Sequence, residues 1–329
     1  MSQTNVCESR SDVGGLEKSE LGSCGMGTDL FDLLAENAWT LPTTDGVATL
    51  YVTELGTGTP VVTLHGGPGA HHAYLVDAVR GCLTRAQFVL FDQRGSLLSA
   101  MPDDKLDQLT ADQLVADLET LRLALGQNQL FLFGHSWGSL LAQLYYLAHP
   151  ERVAGMILTG AMWPSKPPAS YWAEAQDRQE RLRNRAEVEA ALRNAGLDGD
   201  PDRLSPRQKS LRYRITGLAA PSIYRIENWR RVRALHWNQR AAIAIDKSLP
   251  ACHDIRPVLR THPIPVSVIQ GDHDYVDPSA SHWQRLARDH TTVDVTVIER
   301  AGHAAWIDDV DAFTRALDSA LRRIGIASG

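Results

Sequence analysis

Residues 130–144 read LFLFGHSWGSLLAQL, an apolar run that stops at Gly134-His135-Ser136-Trp137-Gly138 before a helix-like segment begins. The run ahead of Gly134 is strand-like, so Ser136 falls on a tight turn between strand and helix. The two glycines permit a strained turn and close helix packing where a Cβ would clash. A surface serine needs no such setting. A serine whose hydroxyl is pushed out in front of a helix N-terminus does. The pentapeptide fits G-x-S-x-G in the strand-turn-helix context that gives the pattern meaning, and it marks Ser136 as a candidate nucleophile. The N–H of Trp137, next in the chain, then points where an oxyanion would form, assisted by the helix dipole.

Similar runs flank this one. AWTL (38–41) and VATLYVTEL (47–55) bracket Thr43-Thr44-Asp45-Gly46, which reads as a hairpin turn. VVTLH (61–65), AQFVLFD (86–92), VAGMILTG (153–160), PVSVIQG (265–271) and TVDVTVIE (292–299) complete the set. Runs apolar throughout suit strands buried on both faces of a parallel sheet. Helix-like segments lie between them at 72–83, 110–126, 137–149, 279–290 and 308–323, with Thr110 placed to cap the second. The alternation predicts an α/β fold: a mostly parallel sheet with helices on both faces and right-handed crossovers.

From about 163 to 250 the alternation stops. That interval has no convincing strand but much helix-forming sequence, such as YWAEAQDRQERLRNRAEVEAALRNAG, closed by Gly196, Asp198, Gly199 and Pro201. It reads as a helical cap (163–250) inserted into a core made of 31–162 and 251–329. Residues 1–30, rich in Ser, Gly and Glu, read as a disordered tail without the basic and apolar regions of a secretory signal.

The whole chain has 329 residues, 43% apolar and 22% charged, with a net charge of -6. That balance suits a soluble globular protein and argues against a general nucleic-acid binder. No apolar stretch is long enough for a membrane-spanning helix. Cys7, Cys24, Cys82 and Cys252 form no CxxC pair, and His71 and His72 are adjacent rather than at i, i+4. Neither a disulfide framework nor a metal site is indicated, and a reducing cytoplasm fits.

A nucleophilic serine needs a base, and the base an orienting acid, here expected in the order Ser, Asp/Glu, His. His303 follows the last strand-like run in Arg300-Ala301-Gly302-His303. The preceding run leads into Gly271-Asp272-His273-Asp274-Tyr275-Val276-Asp277-Pro278. Asp274 is the favoured acid, Asp272 is expected to serve loop N–H groups, and Asp277 to cap the helix after Pro278. The second oxyanion donor is expected from His65-Gly66-Gly67-Pro68-Gly69, with Gly67 preferred over Gly66.

Together these residues resemble the α/β-hydrolase superfamily from about 38 to 325. HGGPGAHHAYL (65–75), VLFDQRGS (89–96) and Ser-Trp-Gly-Ser after the elbow are similar to the proline iminopeptidase family of serine aminopeptidases. The resemblance implies removal of an N-terminal residue, often proline, from short peptides, with no cofactor. It also implies cap acids that bind the free amine and a mainly structural Arg94. Two departures leave the substrate open. Leu97-Leu98-Ser99-Ala100 replaces the family's usual continuation, and no acidic cap motif aligns. Glu227 and, less favoured, Glu174 are candidate amine ligands, though a solvated helix charge is the favoured reading of each. Trp163, Trp172, Trp229 and Trp237 suit either a pocket wall or cap packing. The cap's arginines read as its solvated face, or as a preference for an anionic substrate. An esterase, lactonase or thioesterase is the next reading, and a lyase using the triad for proton transfer a further one. The partner expected is a small molecule or short peptide, with no nucleic acid and no membrane.

Overall fold

The computed structural model describes residues 34–326, so the expected tail lies outside the described residues. Among them, eight strands form one sheet in the order β1-β2-β4-β3-β5-β6-β7-β8. They are β1 (Trp39–Pro42), β2 (Thr49–Gly56), β3 (Pro60–Leu64), β4 (Gln87–Phe91), β5 (Leu130–His135), β6 (Val153–Thr159), β7 (Val266–Gly271) and β8 (Val293–Ile298). β1–β2 and β2–β4 pair antiparallel, and the other neighbours pair parallel.

The central strands β3–β7 are buried on both faces, as their continuous apolar runs require, while the edge strands β1 and β8 are partly exposed. Side chains alternate along each strand, so Val62, Leu64 and Leu132 join one core cluster while Val61 and Phe133 join the other. Helices α1 (Ala111–Ala124) and α2 (Trp137–Ala148) cover the first face. A reciprocal capping box between Thr110 and Gln113 starts α1. The helix spanning 72–83 in the sequence reading is instead a string of short turns, His72–Leu75, Val76–Val79 and Arg80–Cys82. Their buried side chains pack with the C-terminal helix on the second face.

Between β6 and β7 come α3 (Tyr171–Arg183), α4 (Ala186–Asn194), α5 (Pro206–Tyr213), α6 (Gln239–Ser248) and α7 (Arg256–Thr261). The long helix-forming segment is broken after Asn184, because Arg185 adopts an extended backbone. The Arg185 guanidinium then donates to the carbonyls of Tyr224, Ala220 and Ile223, tying the break to the neighbouring segment. After β7 come α8 (Ser281–Asp289) and α9 (Val310–Arg323). Among the described residues no helix is long and apolar enough to cross a membrane.

Parallel pairing carries β3, β5, β6, β7 and β8 to the same edge of the sheet. The loops after β3, β5, β7 and β8 therefore converge there, which is where ligands bind in open α/β sheets.

Candidate active site

Ser136 leaves β5 with φ 55° and ψ −123°, a positive-φ conformation that L residues rarely adopt, and α2 begins at the next residue. The turn closes only because its flanks lack side chains. A Cβ on Gly138 would stand 2.0 Å from the Leu64 carbonyl oxygen, and one on Gly134 2.6 Å from that of Gly138.

His303, after β8, is buried, and its Nδ1 lies 2.9 and 3.0 Å from the two oxygens of fully buried Asp274, after β7. Asp274 also accepts from the Val276 N–H and from Gln270 Nε2, each at 2.8 Å. The carboxylate accepts from Nδ1–H, which leaves His303 Nε2 as the basic nitrogen, and that buried atom has no hydrogen-bond partner among the described residues. Ser136 and His303 both line a cavity of about 420 Å³.

The other two aspartates do different work. Asp272 accepts from the Ala301 N–H at 3.1 Å, joining the loops after β7 and β8. Asp277 accepts from the N–H groups of Ser281 and His282 at the start of α8.

In the loop after β3, the Gly66 N–H donates to the Tyr74 hydroxyl, so Gly67 is the one of the pair whose N–H is not engaged there. Gly67 lines the cavity, and Trp137 opens α2 beside Ser136. Gln93 couples these two positions: its Nε2 donates to the His65 carbonyl and its Oε1 accepts from the Trp137 indole, each at 2.9 Å. Arg94 points away from the cavity, buried in ion pairs with Asp117 and Asp45.

Three contributors have no signal in sequence spacing. Tyr74 Oη lies 2.7 Å from His135 Nδ1, and His135 Nε2 lies 3.2 Å from the His303 carbonyl oxygen. Because Nε2 must donate to that carbonyl, Nδ1 accepts from Tyr74, and His135 is neutral. Burial, with His303 close by, pushes the His135 pKa well below its ordinary value. This chain links the loop after β3 to the backbone of His303. The Tyr275 ring lies tilted against His303 with ring centroids 4.6 Å apart, and Tyr275 lines the cavity together with Ser136 and with Gln179 of α3.

Buried neutral histidines make stability depend on pH. Burial pushes the His65 pKa down from 6.5 to about 4, against the raising pull of Asp92. Between those values the unfolded chain binds a proton that the folded one refuses, so stability falls as pH drops from 6.5 toward 4. His65 alone accounts for about 3 kcal/mol of that loss. Burial raises the Asp92 pKa, but hydrogen bonding from His72 outweighs it and lowers the pKa to about 2, so Asp92 protects the fold until below pH 4. Denaturant unfolding at pH 7, 5.5 and 4 is expected to show the decline; a flat profile would contradict it.

Of the two readings of Glu174 and Glu227, amine ligand or solvated helix charge, their positions fit the second. Glu174 and Glu227 are both exposed, and neither lines the cavity. Helical phase explains Glu174: Gln179 and Arg183, one turn apart on α3, face the cavity, whereas Glu174 is half a rotation away from Arg183 and pairs with Arg178 at 3.9 Å. In the turn Ile226–Arg231, Ile226 and Trp229 face the core and Glu227 faces solvent. Of the four tryptophans singled out, Trp237 lines the cavity; Trp163 stacks on His282 and Trp229 is buried beneath Arg230. Trp306, not singled out, lines it too.

A family model described as the alpha/beta hydrolase fold matches residues 59–310. The chain belongs to the α/β-hydrolase fold family. This α/β hydrolase is 30% identical over 306 residues to a proline iminopeptidase of Xylella fastidiosa (strain Temecula1), covering 82% of this chain and 92% of the relative. Its fold is similar to that of a thermophilic esterase from Thermogutta terrifontis, with TM-score 0.61 and 21% identity over 87% of this chain and 98% of that one. A proline iminopeptidase-related protein from Thermus thermophilus gives TM-score 0.60 and 24% identity over 87% and 97%. The structures similar to this α/β hydrolase thus carry both kinds of name on one fold.

Proposed function

We propose that this α/β hydrolase is a serine hydrolase that cleaves a carbonyl-linked bond through an acyl-enzyme. The observation that carries the reading is that Ser136, on its positive-φ elbow, opens into the same cavity as His303, whose Nδ1 is bound by Asp274. In this mechanism His303 Nε2 takes the Ser136 proton as Oγ attacks the carbonyl carbon. The N–H groups of Trp137 and Gly67 hold the oxygen that gains the negative charge. His303 then protonates the departing group, and water, deprotonated by the same nitrogen, releases the acyl group. Asp274 fixes the Nδ1–H tautomer and stabilises the imidazolium. The helices between β6 and β7 act as a cap that limits water and substrate size.

Short peptides or amides with a free N-terminal residue are the first substrates to test, because relatives about 30% identical carry the name proline iminopeptidase. A second reading, hydrolysis of an ester or lactone, is favoured by the charges of the cavity. Among the described residues Asp77 is the one acid lining it, and Arg233 already holds that carboxylate at 2.7 and 3.0 Å.

A panel of free prolyl, alanyl and leucyl arylamides, their N-acetylated counterparts and short p-nitrophenyl esters separates the two. Turnover of free arylamides that disappears on acetylation supports the aminopeptidase. Turnover of esters alone discards it and retains the serine hydrolase.

A further inference from the structure

We propose that the cavity takes a substrate bearing a carboxylate, and that Arg183 and Arg231 hold it. This rests on the serine-hydrolase reading and specifies its substrate class. Among the described residues, the Asp, Glu, Lys and Arg side chains lining the cavity are Arg183, Arg231, Arg233 and Asp77. Asp77 and Arg233 satisfy each other through two hydrogen bonds. That leaves two guanidiniums, one from α3 and one from the turn Ile226–Arg231, reaching the same space from separate elements.

Neither is neutralised where it stands. The carboxylate paired with Arg183 is Glu180 at 3.8 Å, one turn back on its own helix and 63% exposed, a geometry worth little. Arg231 donates to the Ile307 carbonyl oxygen at 3.3 Å and forms no ion pair among the described residues. The same cavity is also lined by Leu218, Val232 and Trp306, which are apolar. Arg183 is half-buried and Arg231 exposed, so both charges reach the cavity and their pull is open to screening by salt. Guanidinium geometry matches a carboxylate through paired N–H donors, so a ligand with an apolar body and a terminal carboxylate satisfies both features. A protonated amine, by contrast, would meet two like charges and no available acid.

The carboxylate can sit on the acyl side or on the leaving group, and two matched pairs distinguish these. The acyl pair is 4-nitrophenyl hydrogen adipate against its methyl ester. The leaving-group pair is 4-(butanoyloxy)benzoate against 4-(butanoyloxy)benzamide. In one pair the wild-type kcat/KM for the anionic member is expected to exceed that for the neutral member by about tenfold, and added salt should compress the ratio. In the double variant Arg183→Gln/Arg231→Gln the ratio should collapse toward one. Because both members are read in the same variant, a partly misfolded sample lowers them together and leaves the ratio interpretable. Arg203→Gln, whose side chain is 88% exposed and outside the cavity, should keep the wild-type ratio.

Protection of Ser136 from fluorophosphonate labelling by 4-butylbenzoate, but not by 4-butylbenzamide, reads the same preference without turnover. Neutral members equal to or better than anionic ones in both pairs, an unchanged ratio in the double variant, or equal protection by the two benzoyl probes overturns the proposal. Failure of the serine-hydrolase reading looks different: Ser136 takes no fluorophosphonate label, or turnover survives in Ser136→Ala.

Discussion

Ser136→Ala is expected to lower kcat/KM on any substrate turned over by about 10⁴- to 10⁶-fold, leaving a remnant due to the oxyanion donors and binding. The size follows from what is removed. In the proposed mechanism Oγ is the atom that forms the acyl-enzyme, and an alanine methyl cannot take its place. The fold should be indifferent to the change. Alanine meets the same backbone strain at φ 55° as serine, and the turn's other constraints are set by Gly134 and Gly138. Steady-state kinetics beside a thermal melt checks both halves. A variant with near-normal turnover and an unaltered melt would remove Ser136 from the mechanism.

Asp274→Asn is expected to cost about 10⁴-fold in kcat, because an amide turned toward His303 favours the tautomer with hydrogen on Nε2. That nitrogen can then no longer accept the serine proton. The surroundings add a second effect. One carboxylate oxygen accepts from the Val276 N–H and the other from Gln270 Nε2. An asparagine NH₂ in either orientation would therefore point a buried donor at another donor, costing about 1–3 kcal/mol of stability. Kinetics and denaturant unfolding on one preparation should show both losses; retained kcat would assign the orienting role elsewhere.

Much of this arrangement is legible in the sequence because it depends on local order. All eight strands coincide with apolar runs, and the elbow is readable because a strand, two glycines and a helix must follow one another within a few residues. Asp274 could be separated from Asp272 and Asp277 by its distance from the strand end, and each of the three has a different partner in the structure. The insertion was less readable. Helical periodicity distinguishes a buried face from an exposed one, but a cavity-facing arginine and a solvent-facing glutamate are both polar. Glu174 and Arg183 could therefore not be ranked until α3 was placed over the sheet. The broken 72–83 segment and the Tyr74–His135 link are not legible for a related reason: tertiary contacts, not spacing, determine them.

β6 and β7 are adjacent and paired in register from Met156↔Val266 to Thr159↔Ile269, although the whole helical insertion separates them in sequence. The insertion thus leaves and returns at neighbouring points of a sheet whose pairing does not depend on its length, and closing a longer or shorter excursion changes the entropy only slowly. Lineages can therefore rewrite the helices above the strand ends while the turn bearing Ser136 stays as it is. In such a scaffold one stretch of chain can drift far while another, a few ångströms away in space, hardly changes.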